Sequence, residues 1–192
     1  MAAKKKVVKK KVVAKKTAVK KVLKSALPPR AKGERRYWLL KQEPSSFSFD
    51  DLLAAPKKTT CWDGVRNYTA RNYMRDEMAV GDLAFYYHSN ADPSAIVGVV
   101  EIVKKGYPDH TAFDAKHDHF DPDSDPNEPT WYMVDVKAVA PIMPPMSLDQ
   151  LRKIRALDGM ELLKKGSRLS VQVVSAAQFA CIMDAASVAL TV

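Results

Sequence analysis

The chain has 192 residues and a formal charge of +9, long enough for one domain with a substantial core and too short for two large ones. That charge is divided unevenly: residues 1–36 hold 15 Lys or Arg against one acid (+14), and the other 156 hold 16 basic and 21 acidic residues (−5). No apolar run approaches the roughly 20 residues that span a membrane, the N-terminus lacks a signal peptide's apolar stretch, and two cysteines, Cys61 and Cys181, make no secreted disulfide framework.

Residues 1–35 read as a disordered Lys-rich tail and linker. Lys-Lys-Lys-Val-Val recurs at 4–8 and 9–13, and like charges with only Val and Ala between them build no core. Apolar residues at 19, 22, 23, 26 and 27 have helical spacing, so part of the tail can fold on an anionic surface. Lys4, Lys5, Lys6, Lys9, Lys10, Lys11, Lys15, Lys16, Lys20 and Lys21 are candidate phosphate contacts, made without reading base edges. In composition the tail resembles those of linker histones. Anionic membrane binding and plain solubilisation are the competing readings.

The folded part is expected over 36–186, with 187–192 as its end. Residues 37–42 are apolar and aromatic-rich, which predicts a strand, closed by Glu43-Pro44. A short helix is predicted over 46–53, with Ser48 as cap and acids in its first turn. Asn67 is a good cap for a helix running to about Met78, with Tyr68, Arg71 and Arg75 on one face and Ala70, Met74 and Met78 toward the core. Strands are predicted over 83–88, 95–103, 131–139 and 168–174, and helices over 147–155 and 175–186. Residues 106–130 read as a long polar connection. Strands and helices do not alternate strictly, so the pattern favours an α+β fold: a small curved sheet or barrel of five or six strands with peripheral helices.

Phosphate-cradling glycine motifs are absent. Asp121-x-Asp123-x-Asp125 lacks the glycine and glutamate of a calcium loop, and the histidines of 110–119 are the ordinary content of a polar loop; no metal or cofactor is expected. Cys61 and His88 are types that serve as nucleophile and base, but no spacing puts them together. The chemistry left is recognition. Trp38, Trp62, Tyr68, Tyr107 and Trp131 offer rings; Gln42, Asn67, Ser89 and Asn90 offer amide and hydroxyl hydrogen bonds; Lys41 and Arg66 offer charge. Gly64 allows a tight turn beside them. Such a set suits a flat polar ligand such as a nucleobase, and Arg71 and Arg75 suit the backbone attached to it.

Residues 37–44 (Tyr-Trp-Leu-Leu-Lys-Gln-Glu-Pro) resemble the opening signature of the EVE domain family. Residues 61–68 (Cys-Trp-Asp-Gly-Val-Arg-Asn-Tyr) with Ala70-Arg71-Asn72 resemble its central one, and 85–90, 107–109 and 131–136 follow in the family's order. The resemblance covers about 36–186 and leaves the tail out. It implies a PUA-like β-barrel, related to the YTH domains that hold a methylated adenine in an aromatic cage. It also implies a pocket for a modified base, with cytosine modified at carbon five as leading candidate. By position it assigns Lys41 and Gln42 to base contact from the first strand, Trp62 to the cage, Ser89 and Asn90 to a bordering loop and Trp131 to a further wall. With Val65, Arg66, Asn67, Tyr68 and His88 these form the candidate base-binding set.

The expectation is a non-enzymatic, monomeric reader of DNA, or of RNA, carrying a modified base. It would be nuclear in a eukaryote, or cytoplasmic and nucleoid-associated in a bacterium. An enzyme acting on a modified nucleotide and a protein-interaction module are the alternatives.

Overall fold

A computed structural model describes residues 27–187; the tail lysines named above and the helical spacing from Val19 lie outside them, Leu27 apart. Strand β1 is Tyr37–Gln42. Helix α1 (Phe49–Ala54) starts at Ser48, whose hydroxyl accepts from the Asp51 N–H while the Asp51 carboxylate accepts from the Ser48 N–H, a reciprocal cap that satisfies two free donors of the first turn. Strand β2 (Thr59–Trp62) is short. Helix α2 (Tyr68–Asn72) is capped by Asn67, which accepts from Thr69 and Ala70. It runs into a π-helical turn over Tyr73–Glu77, so the helix predicted to Met78 is α-helical for five residues only. The wider turn breaks the spacing that was to align Tyr68, Arg71 and Arg75: Arg71 lies over the Tyr68 ring, whereas Arg75 lies over Tyr132.

Strand β3 is Leu83–His88. Strands β4 (Ala95–Pro108) and β5 (Tyr132–Ser147) are longer than their apolar cores predict, because they pair with each other through several register shifts that let Lys104, Lys105 and the prolines of β5 stay within paired strands. Helix α3 (Leu148–Arg152), strand β6 (Val171–Val174) and helix α4 (Ala176–Ala185) complete the chain. Both helices open on Ser caps, Ser147 and Ser175, with Gln three residues on. No helix among the described residues is long and apolar enough to cross a membrane.

The six strands form one mixed sheet in the order β2-β5-β4-β3-β1-β6. Only β1 and β3 pair in parallel; the other pairs are antiparallel. Strand alternation sorts the core onto two faces. Trp38, Leu40, Trp62, Tyr86, Ile102 and Val134 meet on one, with Phe49 of α1 and Ala70 and Met74 beside them. Leu39, Phe85, Tyr87, Ile96, Leu151 and Phe179 meet on the other, each buried side chain of this size stabilising by about 1.5–3 kcal/mol.

The segment before β1 is fastened to this sheet. Arg30 donates twice to Asp82, at 2.7 Å each, and to the Glu77 carbonyl at 2.5 Å. Asp82 is buried and also accepts from the Arg36 and Ala79 N–H groups and the Trp38 indole, at 3.0 Å each. Burial pushes its pKa up, and these donors outweigh it and hold the carboxyl below the ordinary range. Trp38, offered above as a ligand ring, is therefore a core residue with its polar atom satisfied. Leu27 packs against the core, so residues 27–35 are docked on the domain.

Candidate functional site

The parallel pair β1 and β3 ends beside the start of α1 and the end of β2. There Gln42, Ser46, Phe47, Thr60, Cys61, Trp62, Asp63, Tyr86 and His119 enclose a pocket of about 240 Å³, smaller than the roughly 300–1,000 Å³ of sites for drug-sized ligands. Its apolar wall is Trp62, set edge-on to Tyr86 with centroids 5.3 Å apart and planes at 86°. Trp62 is 6% exposed, so its surface is already withdrawn from water. The Tyr86 hydroxyl donates to the Phe47 carbonyl at 2.7 Å, and burial pushes its pKa up. Gln42, Ser46, Thr60 and Asp63 supply donors and acceptors, which suits a flat ring with a polar edge.

His119 closes the pocket from the long 109–131 connection. Gly64, at φ +72°, brings the backbone so near that a Cβ there would lie 2.5 Å from the His119 ring. Arg66 holds that connection. Its guanidinium donates to Asp109 at 2.7 Å, to the Thr111 hydroxyl at 3.1 Å and, through Nε, to the His119 carbonyl at 2.9 Å. Asp109 is fully buried and also accepts from the Gly64 N–H at 3.0 Å. Burial raises its pKa, but Arg66, Thr111 and Gly64 more than offset this and keep it ionised.

Of the candidate residues, Gln42 and Trp62 line this pocket. Lys41 does not: neighbours on a strand point to opposite faces, and its Nζ lies 3.4 Å from the Ser167 carbonyl, where burial lowers its pKa and Glu161 works against that. Val65 is core. Asn67 is consumed as a helix cap. His88 Nε2 accepts from the Phe49 N–H at 3.1 Å, and burial lowers its pKa, so it orients α1. The Ser89 N–H donates to the Gln42 carbonyl at 2.8 Å, and Asn90, at φ +52°, donates to Glu43 at 2.6 Å. Both shape the turn after Gln42. Tyr107 donates to Asp135 of β5, near Cys61 and Asp63 but outside the lining of the pocket.

Trp131 and Tyr68 belong to a second, wider cleft of about 620 Å³, lined by Arg66, Tyr68, Phe120, Asp121, Asp123, Thr130 and Trp131. The Tyr68 and Trp131 rings are 5.0 Å apart. Arg66 lies over Trp131 at 5.5 Å and Arg71 over Tyr68 at 5.0 Å, cation–π contacts that fix ring and guanidinium together. Arg71 also donates to the Thr130 carbonyl at 2.5 Å, and Arg75 pairs with Asp76 at 2.7 Å. Pocket residues that the sequence did not single out are Ser46, Phe47, Thr60, Asp63, Tyr86 and His119. Alternation on β3 puts Tyr86 on the face of Ala84 and His88, a usable signal; nothing local marks His119.

The chain is similar to known proteins over most of its length. The EVE domain model matches residues 36–185. Thymocyte nuclear protein 1 of Rattus norvegicus is 43% identical over 170 residues, 80% of this chain and 74% of that protein. A hypothetical protein from Leishmania major superposes with a TM-score of 0.77 at 45% identity, over 82% of this chain and 98% of its own. Human THYN1 protein, solved in complex with 5-methylcytosine containing DNA, superposes with a TM-score of 0.75 at 38% identity, over 80% of this chain and 99% of its own. With a six-stranded mixed sheet, the signatures at 37–44 and 61–72 folded around one pocket and a match spanning most of its length, this chain belongs to the EVE domain family.

Proposed function

We propose that this protein is a non-enzymatic reader that holds a modified base of DNA, a cytosine modified at carbon five, in the pocket of Trp62, Gln42 and His119. The supporting observation is the pocket's make-up: one buried indole as a stacking wall, with amide, hydroxyl and carboxylate groups around it, in a chain similar over most of its length to a human protein solved with 5-methylcytosine containing DNA. Stacking a base on an aromatic ring is worth about 1–3 kcal/mol, and leaving one of the polar groups unpaired penalises the wrong base. The N-terminal lysines supply sequence-blind phosphate contact. The domain is monomeric, and in a eukaryotic host the protein is nuclear, as the names of its vertebrate relatives suggest.

Curling of the sheet into a barrel is part of this reading. In a flat sheet, β2 and β3 lie three strand spacings apart, about 14 Å, yet the rings of Trp62 and Tyr86 are 5.3 Å apart. Binding is favoured over catalysis by the state of the two nominal catalytic groups. Burial, with Asp63 beside it, pushes the Cys61 thiol up to about 11, away from the thiolate that a nucleophile needs, and His88 Nε2 is engaged with α1.

The test is binding of the full chain and of residues 27–192 to duplexes differing only in one central cytosine: plain, methylated or hydroxymethylated. A preference of tenfold or more, about 1.4 kcal/mol, is expected for one modified form. Equal binding to all three overturns the DNA reading. The same series in RNA then tests the RNA alternative, and turnover of the free modified nucleotide tests the enzyme.

A further inference from the structure

We infer that the cleft of Tyr68, Phe120 and Trp131 is a second subsite, which takes the nucleobase next to the held one on the same strand and selects a base with an exocyclic amino group. The inference rests on the reading of the Trp62 pocket as a base site. Among the described residues four large apolar side chains are strongly exposed, and two of them, Tyr68 at 50% and Phe120 at 40%, line this one cleft. Two exposed rings lining one cleft are an unusual use of apolar surface, and they form the kind of stacking platform that single-stranded nucleic acid uses. Tyr68 does not drift, because Trp131 and Arg71 hold it by ring and cation–π contact.

The cleft continues the pocket. His119 lines the pocket and Phe120 lines the cleft, so consecutive residues, with Cα atoms about 3.8 Å apart, form the partition. Arg66 stiffens that partition by bonding the His119 carbonyl, and its guanidinium lies over Trp131 on the cleft side. Pocket and cleft are therefore adjacent, as the sites of two successive bases on one strand must be. The occupant's class follows from charge. Asp121 and Asp123 stand in the cleft, and two carboxylates repel a phosphate but accept from an amino group. Asp121 already accepts from the Trp131 indole at 2.5 Å through one oxygen and from the Asp123 N–H at 3.0 Å through the other, which leaves the Asp123 carboxylate as the freer group to read the base. Adenine, cytosine and guanine offer the amino donor; thymine does not.

The test uses the full chain and DNA with a fixed central modified cytosine. An abasic site is placed in turn at each same-strand neighbour and opposite the modified base. For the unaltered protein, loss of one same-strand neighbour is expected to weaken binding about tenfold, and thymine there binds less well than cytosine or adenine. In Tyr68→Leu and Phe120→Ala, native and abasic-neighbour DNA are expected to bind alike. Both variants should keep the preference for the modified base; Phe120→Ala, at an exposed ring, should leave Tm unchanged, and Tyr68→Leu, which loses its contacts with Trp131 and Arg71, should lower it slightly. Asp123→Asn should abolish the discrimination against thymine. Indifference to an abasic neighbour on either side overturns the inference, as does a loss confined to the position opposite. If preference for the modified base is absent throughout, the pocket reading fails instead, whatever the neighbour series gives.

Discussion

Arg66 and Asp109 pair at 2.7 Å across forty-three residues of chain, and through this pair the connection that carries His119 is tied to the turn that carries Trp62. Arg66 is thus a positioning residue. Its replacement leaves a buried carboxylate with fewer donors, and breaking a buried pair costs about 3–5 kcal/mol; with Arg66 partly exposed, about 2–3 kcal/mol is expected for Arg66→Met. Chemical denaturation measures it. Selectivity for the modified base should fall with it, while salt-dependent binding to plain DNA persists.

Gly64→Ala should act on the same contact from the other side. The position is left-handed and the new methyl meets the His119 ring at 2.5 Å. A cost of about 1–3 kcal/mol is expected from the backbone alone, together with weaker base discrimination in a binding assay. In His119→Ala/Gly64→Ala the steric part is relieved and only the backbone part remains.

Trp62→Ala and removal of residues 1–26 should separate the two modes of contact. The indole variant is expected to lose discrimination and keep salt-sensitive attraction. The truncated chain, lacking 11 lysines, should keep discrimination, bind all DNA more weakly and show a shallower dependence on salt. The cut belongs at 26 because a deletion through 35 would remove Arg30 and strip Asp82 of its ion pair.

Asp82 and His88 both make the fold respond to acid. Asp82 has a folded pKa below its ordinary value, so its contribution is complete above about pH 4 and is lost as pH falls through the lower, folded value. Arg30→Met should reduce that contribution and raise the acid-unfolding midpoint. His88 also has a folded pKa below its ordinary value of about 6.5. The folded state then binds fewer protons, so stability is full above about pH 6.5 and declines as pH falls from there through the folded value. Thermal melts from pH 7.5 to 5 should show this slope, and His88→Gln, whose carbonyl accepts from Phe49 without titrating, should flatten it.

What the sequence disclosed depended on how local the cause was. Strands β1 and β3 and the Ser48 cap of α1 were readable to the residue, because alternation and capping are decided within a few positions. The lengths of β4 and β5 were not, because each strand's ends are held by the other's backbone. Strand β2 was missed since four residues on a sheet edge carry little pattern. In the pocket, Gln42 and Trp62 were legible. Lys41 was misplaced although its strand had been recognised, since period two already puts neighbours on opposite faces. His119 comes in from 55 residues beyond Gly64, and only the folded chain shows its contact.

The docking of Arg30 on Asp82 also turns β1 into a ruler. Leu27, where the described residues begin, lies beside the first residue of that strand, and the pocket opens at its last, about 17 Å away for six residues. On the proposed reading, phosphates bound by the preceding lysines and a base held at Gln42 and Trp62 are then kept apart by a spacing that geometry sets as well as the number of lysines.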